Sequence, residues 1–221
     1  MKNILFDDNH IIIYNKPAGM LVQGDKTGDK CLLDEIKLYI KKMSNKPGEV
    51  YLGLPHRLDR PTSGIVIMAR TSKALTRLTQ MFAKNEIKKT YWAIVSKRPD
   101  SITAKLTHFL VKDEKTNKSK AYDKPHKNTK EAILEYNLIN STKDFSLLEV
   151  NLHTGRHHQI RVQLSKIGCP IIGDLKYGSG IKTEDGNILL HSRKVAFIPV
   201  SYTHLRAHET VLDLVCRLLL E

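Results

Sequence analysis

The sequence predicts an α+β fold: a mostly antiparallel or mixed central sheet with helices on its flanks. Short apolar runs bounded by turn residues outnumber every other pattern, and several alternate with a period of two. Three segments carry helical spacing, without the strict strand–helix alternation that a parallel sheet needs. The chain has 221 residues, 41% of them hydrophobic and 27% charged, which suffices for one core of ordinary size.

Residues 3–24, NILFDDNHIIIYNKPAGMLVQG, read as two short strands around a DDNH turn, followed by the KPAG turn Lys16–Gly19. CLLDEIKLYIKKM is an amphipathic helix with Leu33, Ile36 and Ile40 on one face, ended by NKPGE. VYLGLPHRLD is a strand running into a loop, and GIVIMAR a buried strand. TSKALTRLTQMFAKN is a helix capped by Thr71 or Ser72, with Leu75, Leu78 and Phe82 as its inner stripe. KKTYWAIVSK alternates as a strand. Residues 112–130 hold seven Lys against three acids and read as a polar surface loop. EAILEYNLIN and FSLLEVNLHTG form a strand pair through the STKD turn. HHQIRVQLSKIG is a helix ending at Gly168, CPIIGDLKYGSG a loop, and NILLHSRKVAFIPV a final strand.

Residues 201–221, SYTHLRAHETVLDLVCRLLLE, have no Lys, Gly, Asn or Ile, and six of them are Leu. They read as a segment foreign to the body. The alternative is a C-terminal amphipathic helix, which the spacing of Val211, Leu214 and Leu218 permits.

Lys plus Arg number 36 against 23 Asp plus Glu, a formal charge of +13, which points to a polyanionic partner. Cys31, Cys169 and Cys216 form no CxxC pair and read as free buried thiols of a reducing compartment. MKNILFDD is too short an apolar stretch for a signal peptide, and no run can span a bilayer. A cytoplasmic location is expected, with no membrane partner.

Three motifs carry chemistry. In PHRLDRPTSG, Asp59 stands between Arg57 and Arg60, and nearby cations favour the carboxylate form that suits a nucleophile or base. The bland reading is a turn former or a surface salt bridge. TSG is not a nucleophile elbow, so Thr62 and Ser63 are expected to satisfy turn amides. In HTGRHHQIRVQL, His153, His157 and His158, with His191 further on, invite a metal reading. Thr154-Gly155 argues against a helix that would align His153 with His157, and no HExxH or Cys partner supports a metal. The alternative is a Gly-Arg turn with Arg161 directed inward and Arg156 toward phosphate. In KKTYWAIV, one of Tyr91 and Trp92 should face inward, as packing or as a platform for a base.

HRLDRPTSG resembles the signature of the RluA family of pseudouridine synthases. IIIYNKPAGMLVQ, KKTYWAIV, TGRHHQIRVQLSKIGCPIIGDLKYG and LLHSRKVAF resemble further family motifs, in order, from about Asn3 to Phe197. From about Pro199 the chain departs from the family pattern. The resemblance implies the pseudouridine synthase fold with an RNA-binding cleft, of the compact kind without an S4-type domain. It implies isomerisation of uridine in rRNA or tRNA stem-loops by a monomer, with no cofactor and no metal. It assigns catalysis to Asp59. Arg57 would enter the space left by a flipped nucleotide, Tyr91 stack on the uracil, and Arg161 pair with Asp59. Residues 1–200 would form the catalytic domain and residues 201–221 an aberrant tail. The rival readings are a non-catalytic RNA-binding module and a metal-dependent hydrolase built on the four histidines.

Overall fold

The structure is a computed structural model describing residues 2–44 and 47–198 and the backbone of Leu212–Val215. In chain order its elements are β1 (Ile4–Asp7), β2 (Ile11–Lys16), α1 (Leu32–Ser44), β3 (Ser63–Ala69), α2 (Ser72–Ala83), β4 (Lys88–Val95), β5 (Thr103–Asp113), β6 (Lys118–Tyr122), β7 (Lys130–Ser141), β8 (Ser146–Leu152), α3 (Gln159–Lys166), a 3-10 turn (Leu175–Tyr177), β9 (Leu190–Phe197) and β10 (Leu212–Val215). The α+β expectation stands. The chain forms two compact units. One comprises Met1–Arg60, Gly64–Lys89 and Arg193–Glu221; the other comprises Pro61–Ser63 and Thr90–Ser192.

In the first unit, Asp8 makes the β1–β2 turn. Its Oδ1 accepts the backbone N–H groups of His10 and Ile11, each at 2.7 Å. β2 pairs antiparallel with β3, from Ile11 opposite Ala69 to Lys16 opposite Gly64. Every residue of β3 from Gly64 to Ala69 is buried, which explains its continuous apolar run. Thr71 caps α2, its hydroxyl accepting from the Ala74 N–H at 3.1 Å. Ala74, Leu78 and Met81 of α2 pack with Ile13, Ile65, Ile67, Val195 and Phe197, while Leu75 and Phe82 lie at the margin. In α1 the buried residues are Leu32, Ile36 and Ile40, so Leu32 takes the place expected of Leu33. VYLGLPHRLD is not a strand beyond the single bridge Gly53–Ala69; it is a loop held by specific bonds.

In the second unit the strands run β4-β8-β7-β5-β6. The four pairs along this path are antiparallel, with the expected β7–β8 hairpin among them. Two elements went unread. β5 buries only His108 and Leu110 deeply, so its alternation is faint. Residues 112–130 are largely a hairpin rather than a loop. Asp113 Oδ1 accepts from the N–H groups of Lys115 and Thr116, and β6 then returns along β5. Its inward residue is the small polar Ser119, between exposed Lys118 and Lys120, so no apolar period marks the strand.

The expected boundary at residue 200 and most of residues 201–221 lie outside the described residues. Leu212–Val215 is a strand, not the alternative helix, and pairs antiparallel with Lys194–Phe197 of β9.

Candidate active site

The first unit carries Arg57 and Asp59, in the irregular loop before β3. Arg57 is exposed and Asp59 half-buried. Two side chains fix this loop. His56 accepts the Ile67 backbone N–H at Nε2, 2.9 Å away, and its ring stacks on Phe82 at 4.6 Å. An amide donor at Nε2 requires a lone pair there, so the imidazole is neutral with its proton on Nδ1. Burial pushes its pKa down to about 3, helped by the Lys89 ammonium. Lys16 is the second. Its side chain has no solvent exposure, and Nζ donates to the carbonyls of Pro17 (3.0 Å), Met20 (2.9 Å) and Arg60 (3.1 Å). All three ammonium hydrogens are thus used. Burial lowers its pKa to about 8, against the opposing pull of the nearby Asp59 carboxylate.

The KPAG turn and the Asp59 loop are laced together. The Gly19 N–H donates to the Arg60 carbonyl at 2.9 Å, and Arg60 Nε donates back to the Gly19 carbonyl at 3.0 Å. Gly19 has φ 82, a conformation that a β-carbon would strain. Arg60 Nη1 then reaches Asp29 at 2.8 Å on the surface. Of the two flanking arginines, Arg60 is therefore occupied with the KPAG turn and Asp29.

The second unit carries Tyr91 and Arg161. Tyr91 on β4 is buried and Trp92 half-buried, the expected alternation. Arg161 on α3 is 5% exposed and bound to Asp174, which is 1% exposed. Nε donates to Oδ2 at 2.7 Å and Nη2 to Oδ1 at 2.9 Å. This two-point bond fixes the guanidinium plane, and each buried charge depends on the other. The HTGRHHQ turn that presents α3 is clamped by Gln159. Its Oε1 accepts from Thr154 Oγ1 (2.8 Å) and the Arg156 N–H (3.0 Å), and its Nε2 donates to the Ile133 carbonyl (3.1 Å). Arg156, expected to face phosphate, donates from Nε to the Glu131 carbonyl at 2.9 Å.

The four histidines are spread among different partners. His153 lies 3.3 Å from Glu135, His157 bonds Ser119, His158 bonds Tyr177, and His191 Nδ1 lies 2.9 Å from Ser63 Oγ. The Ser63 hydroxyl thus meets an imidazole, where a turn amide was expected.

A family model described as RNA pseudouridylate synthase matches residues 10–166. The chain belongs to that family. Ribosomal large subunit pseudouridine synthase D of Zymomonas mobilis is 33% identical over 209 residues, 90% of this chain and 65% of the relative. Ribosomal large subunit pseudouridine synthase C of Buchnera aphidicola is 32% identical over 203 residues, 88% of this chain and 62% of the relative. The chain thus spans less than two thirds of the length of these relatives. Among solved structures, human RNA Pseudouridylate Synthase Domain Containing 4 matches with a TM-score of 0.79 and 26% identity, over 98% of this chain and 88% of that one.

In this synthase-family chain, sequence reasoning passed over Lys16, His56 and Asp174. The signal for Asp174 was a lone acid in the apolar, glycine-bounded run IIGDLKYG. Gly173 before it has φ 84, and a β-carbon there would collide with the Asn187 carbonyl oxygen. His56 leads to a prediction. Its folded pKa lies below the unfolded value, so the unfolded chain binds the extra proton and stability falls as pH drops below about 6.5. Urea unfolding at pH 6.5 and pH 5 should show the wild type losing about 2 kcal/mol more than His56→Gln. Equal losses would show that His56 is not held neutral.

Proposed function

We propose that this chain is a pseudouridine synthase that isomerises uridine within structured ribosomal or transfer RNA. The observation that carries the reading is the Asp59 loop. A half-buried carboxylate sits on a loop locked by a buried lysine and a neutral histidine, in a chain of the pseudouridylate synthase family.

Uridine and pseudouridine contain the same atoms. The C1′–N1 bond breaks, the uracil turns, and C5 bonds to C1′; the C5 proton leaves to solvent and N1 takes one up, so the atoms balance. Positive charge develops at C1′ as in glycoside cleavage, and a carboxylate stabilises or traps it. Asp59 acts there, by adding to C1′ or by taking a proton from C2′; both routes need it ionised. The base must first leave the stack, at a cost of a few kcal/mol. Stacking on Tyr91 offsets about 1–3 kcal/mol of that, and Arg57 fills the vacated place. Arg161, its plane fixed by Asp174, is assigned to keep Asp59 charged. The +13 charge and the lysines of the β5–β6 hairpin hold the RNA. The reading includes a monomer acting in the cytoplasm; no helix among the described residues is long and apolar enough to cross a membrane.

Tritium release from 5-³H-uridine RNA tests the reading, because each turnover expels the C5 hydrogen. Release from transcripts of large-subunit ribosomal RNA or from unmodified transfer RNA is expected. No release above background from either would overturn it.

A further inference from the structure

We propose that the Asp174–Tyr177 turn is a positioning element that ties the basic edge strand β6 to Arg161, so that RNA held by Lys118 and Lys120 is set in register with the arginine. The inference rests on the functional reading above and extends it to residues outside the reacting groups.

The turn has two working ends. At one end Asp174 grips Arg161 through two bonds. At the other, Lys176 Nζ donates to the Asn117 carbonyl at 2.9 Å, and Tyr177 Oη accepts the Ser119 backbone N–H at 2.7 Å. The ends are three residues apart and joined by the Tyr177 N–H to Asp174 carbonyl bond at 3.0 Å. Ser165 Oγ anchors the Tyr177 carbonyl to α3 at 2.6 Å, and the Arg161 guanidinium carbon lies 5.1 Å from the centre of the Tyr177 ring. One tyrosine therefore touches the arginine with its face and the strand with its hydroxyl.

Proton counting fixes one link of the network. Tyr177 Oη accepts from the Ser119 N–H and also bonds His158 Nδ1 at 2.8 Å. Ser119 Oγ donates to the His157 carbonyl at 2.7 Å and so accepts from His157 Nδ1 at 2.9 Å. An edge strand normally leaves backbone N–H groups open. Here one of them, between two exposed lysines, is bonded to the turn that holds Arg161. Strand alternation puts Lys118 and Lys120 on the face opposite Ser119, clear of the network.

The test is a double-mutant cycle on the full chain. Tritium release from a 5-³H-uridine transcript of large-subunit ribosomal RNA gives kcat and KM, and filter binding of the same transcript gives Kd. Tyr177→Phe keeps the ring and removes the hydroxyl; KM and Kd should rise about fivefold with kcat nearly unchanged. Tyr177→Leu, which also removes the ring from Arg161, should lower kcat as well. Lys118→Ala with Lys120→Ala should raise KM and Kd about tenfold. Combined with Tyr177→Phe the rise should stay near tenfold, because the two changes break one connection. A rise near the product, about fiftyfold, would overturn the inference. Melting curves guard against misfolding, and Lys176→Met on the half-buried flank of the turn repeats the cycle if Tyr177→Phe unfolds. The Kd cycle can be read even if the wild type releases no tritium, so failure of the functional reading and failure of the coupling give different results.

Discussion

Asp59→Asn should abolish isomerisation, with kcat falling by at least about a thousandfold, while RNA affinity changes little. The amide has the carboxylate's shape but no charge, so it can neither trap C1′ nor take a proton. A thousandfold loss corresponds to about 4 kcal/mol of transition-state stabilisation, within the range for removing a reacting group. Asp59 sits in a loop whose anchors, His56 and Lys16, both remain, although Lys16 loses the carboxylate that pulls its pKa up. The fold should therefore survive, as a melting curve would verify. Tritium release and filter binding on one protein preparation separate chemistry from binding. Turnover within tenfold of wild type would remove Asp59 from the chemistry. Asp59→Glu, which keeps the charge but moves the carboxyl by about 1 Å, should also lose about a hundredfold or more.

The second large effect is expected at Lys16. Lys16→Met leaves the carbonyls of Pro17 and Met20 without this donor, while the Arg60 carbonyl keeps the Gly19 N–H. Each orphaned buried acceptor costs about 1–3 kcal/mol. Relief of the buried charge, roughly 3 kcal/mol for a pKa lowered from 10.5 to about 8, offsets part of this. Net stability should thus change modestly. Activity should fall about a hundredfold, because the Arg60 carbonyl next to Asp59 loses one of its two tethers and the KPAG turn loses its lysine. The wild type carries a pH signature of the same interaction. Below about pH 8 Lys16 is an ammonium with three donors; above it, a neutral amine has two hydrogens for three carbonyls. The rate should therefore decline as pH rises through about 8, and Lys16→Met should lack that limb. A wild-type rate that stays level to pH 9.5 would contradict this role.

What the sequence disclosed followed from how far its signals reach along the chain. Arg57 and Asp59 lie in one contiguous motif, so a candidate site could be proposed from it, and β2, β3 and α2 carry dense apolar periods that could be read directly. Lys16 could not, because a lysine is normally a surface residue and its partners are backbone oxygens that the sequence does not mark. Asp174 reaches Arg161 across 13 positions and Tyr177 reaches Ser119 across 58; neither pair forms a local pattern. The β5–β6 hairpin was hidden because a serine and a histidine hold inward places where apolar side chains would announce a strand.

The threading of the chain has a consequence for how the protein is made. The second unit draws almost all its residues from the unbroken stretch Thr90–Ser192. The first unit's core needs Ile13 from the start of the chain and Val195 and Phe197 from near its other end. During synthesis the second unit can close on itself as soon as it emerges. The earlier-made β2, β3 and α2 must wait, with an apolar face uncovered, until β9 has left the ribosome. Interactions that join distant residues form slowly, and exposed apolar surface is where newly made chains go astray. Docking of β9 is thus the late step of folding, and the interval before it is when a chaperone would hold this chain.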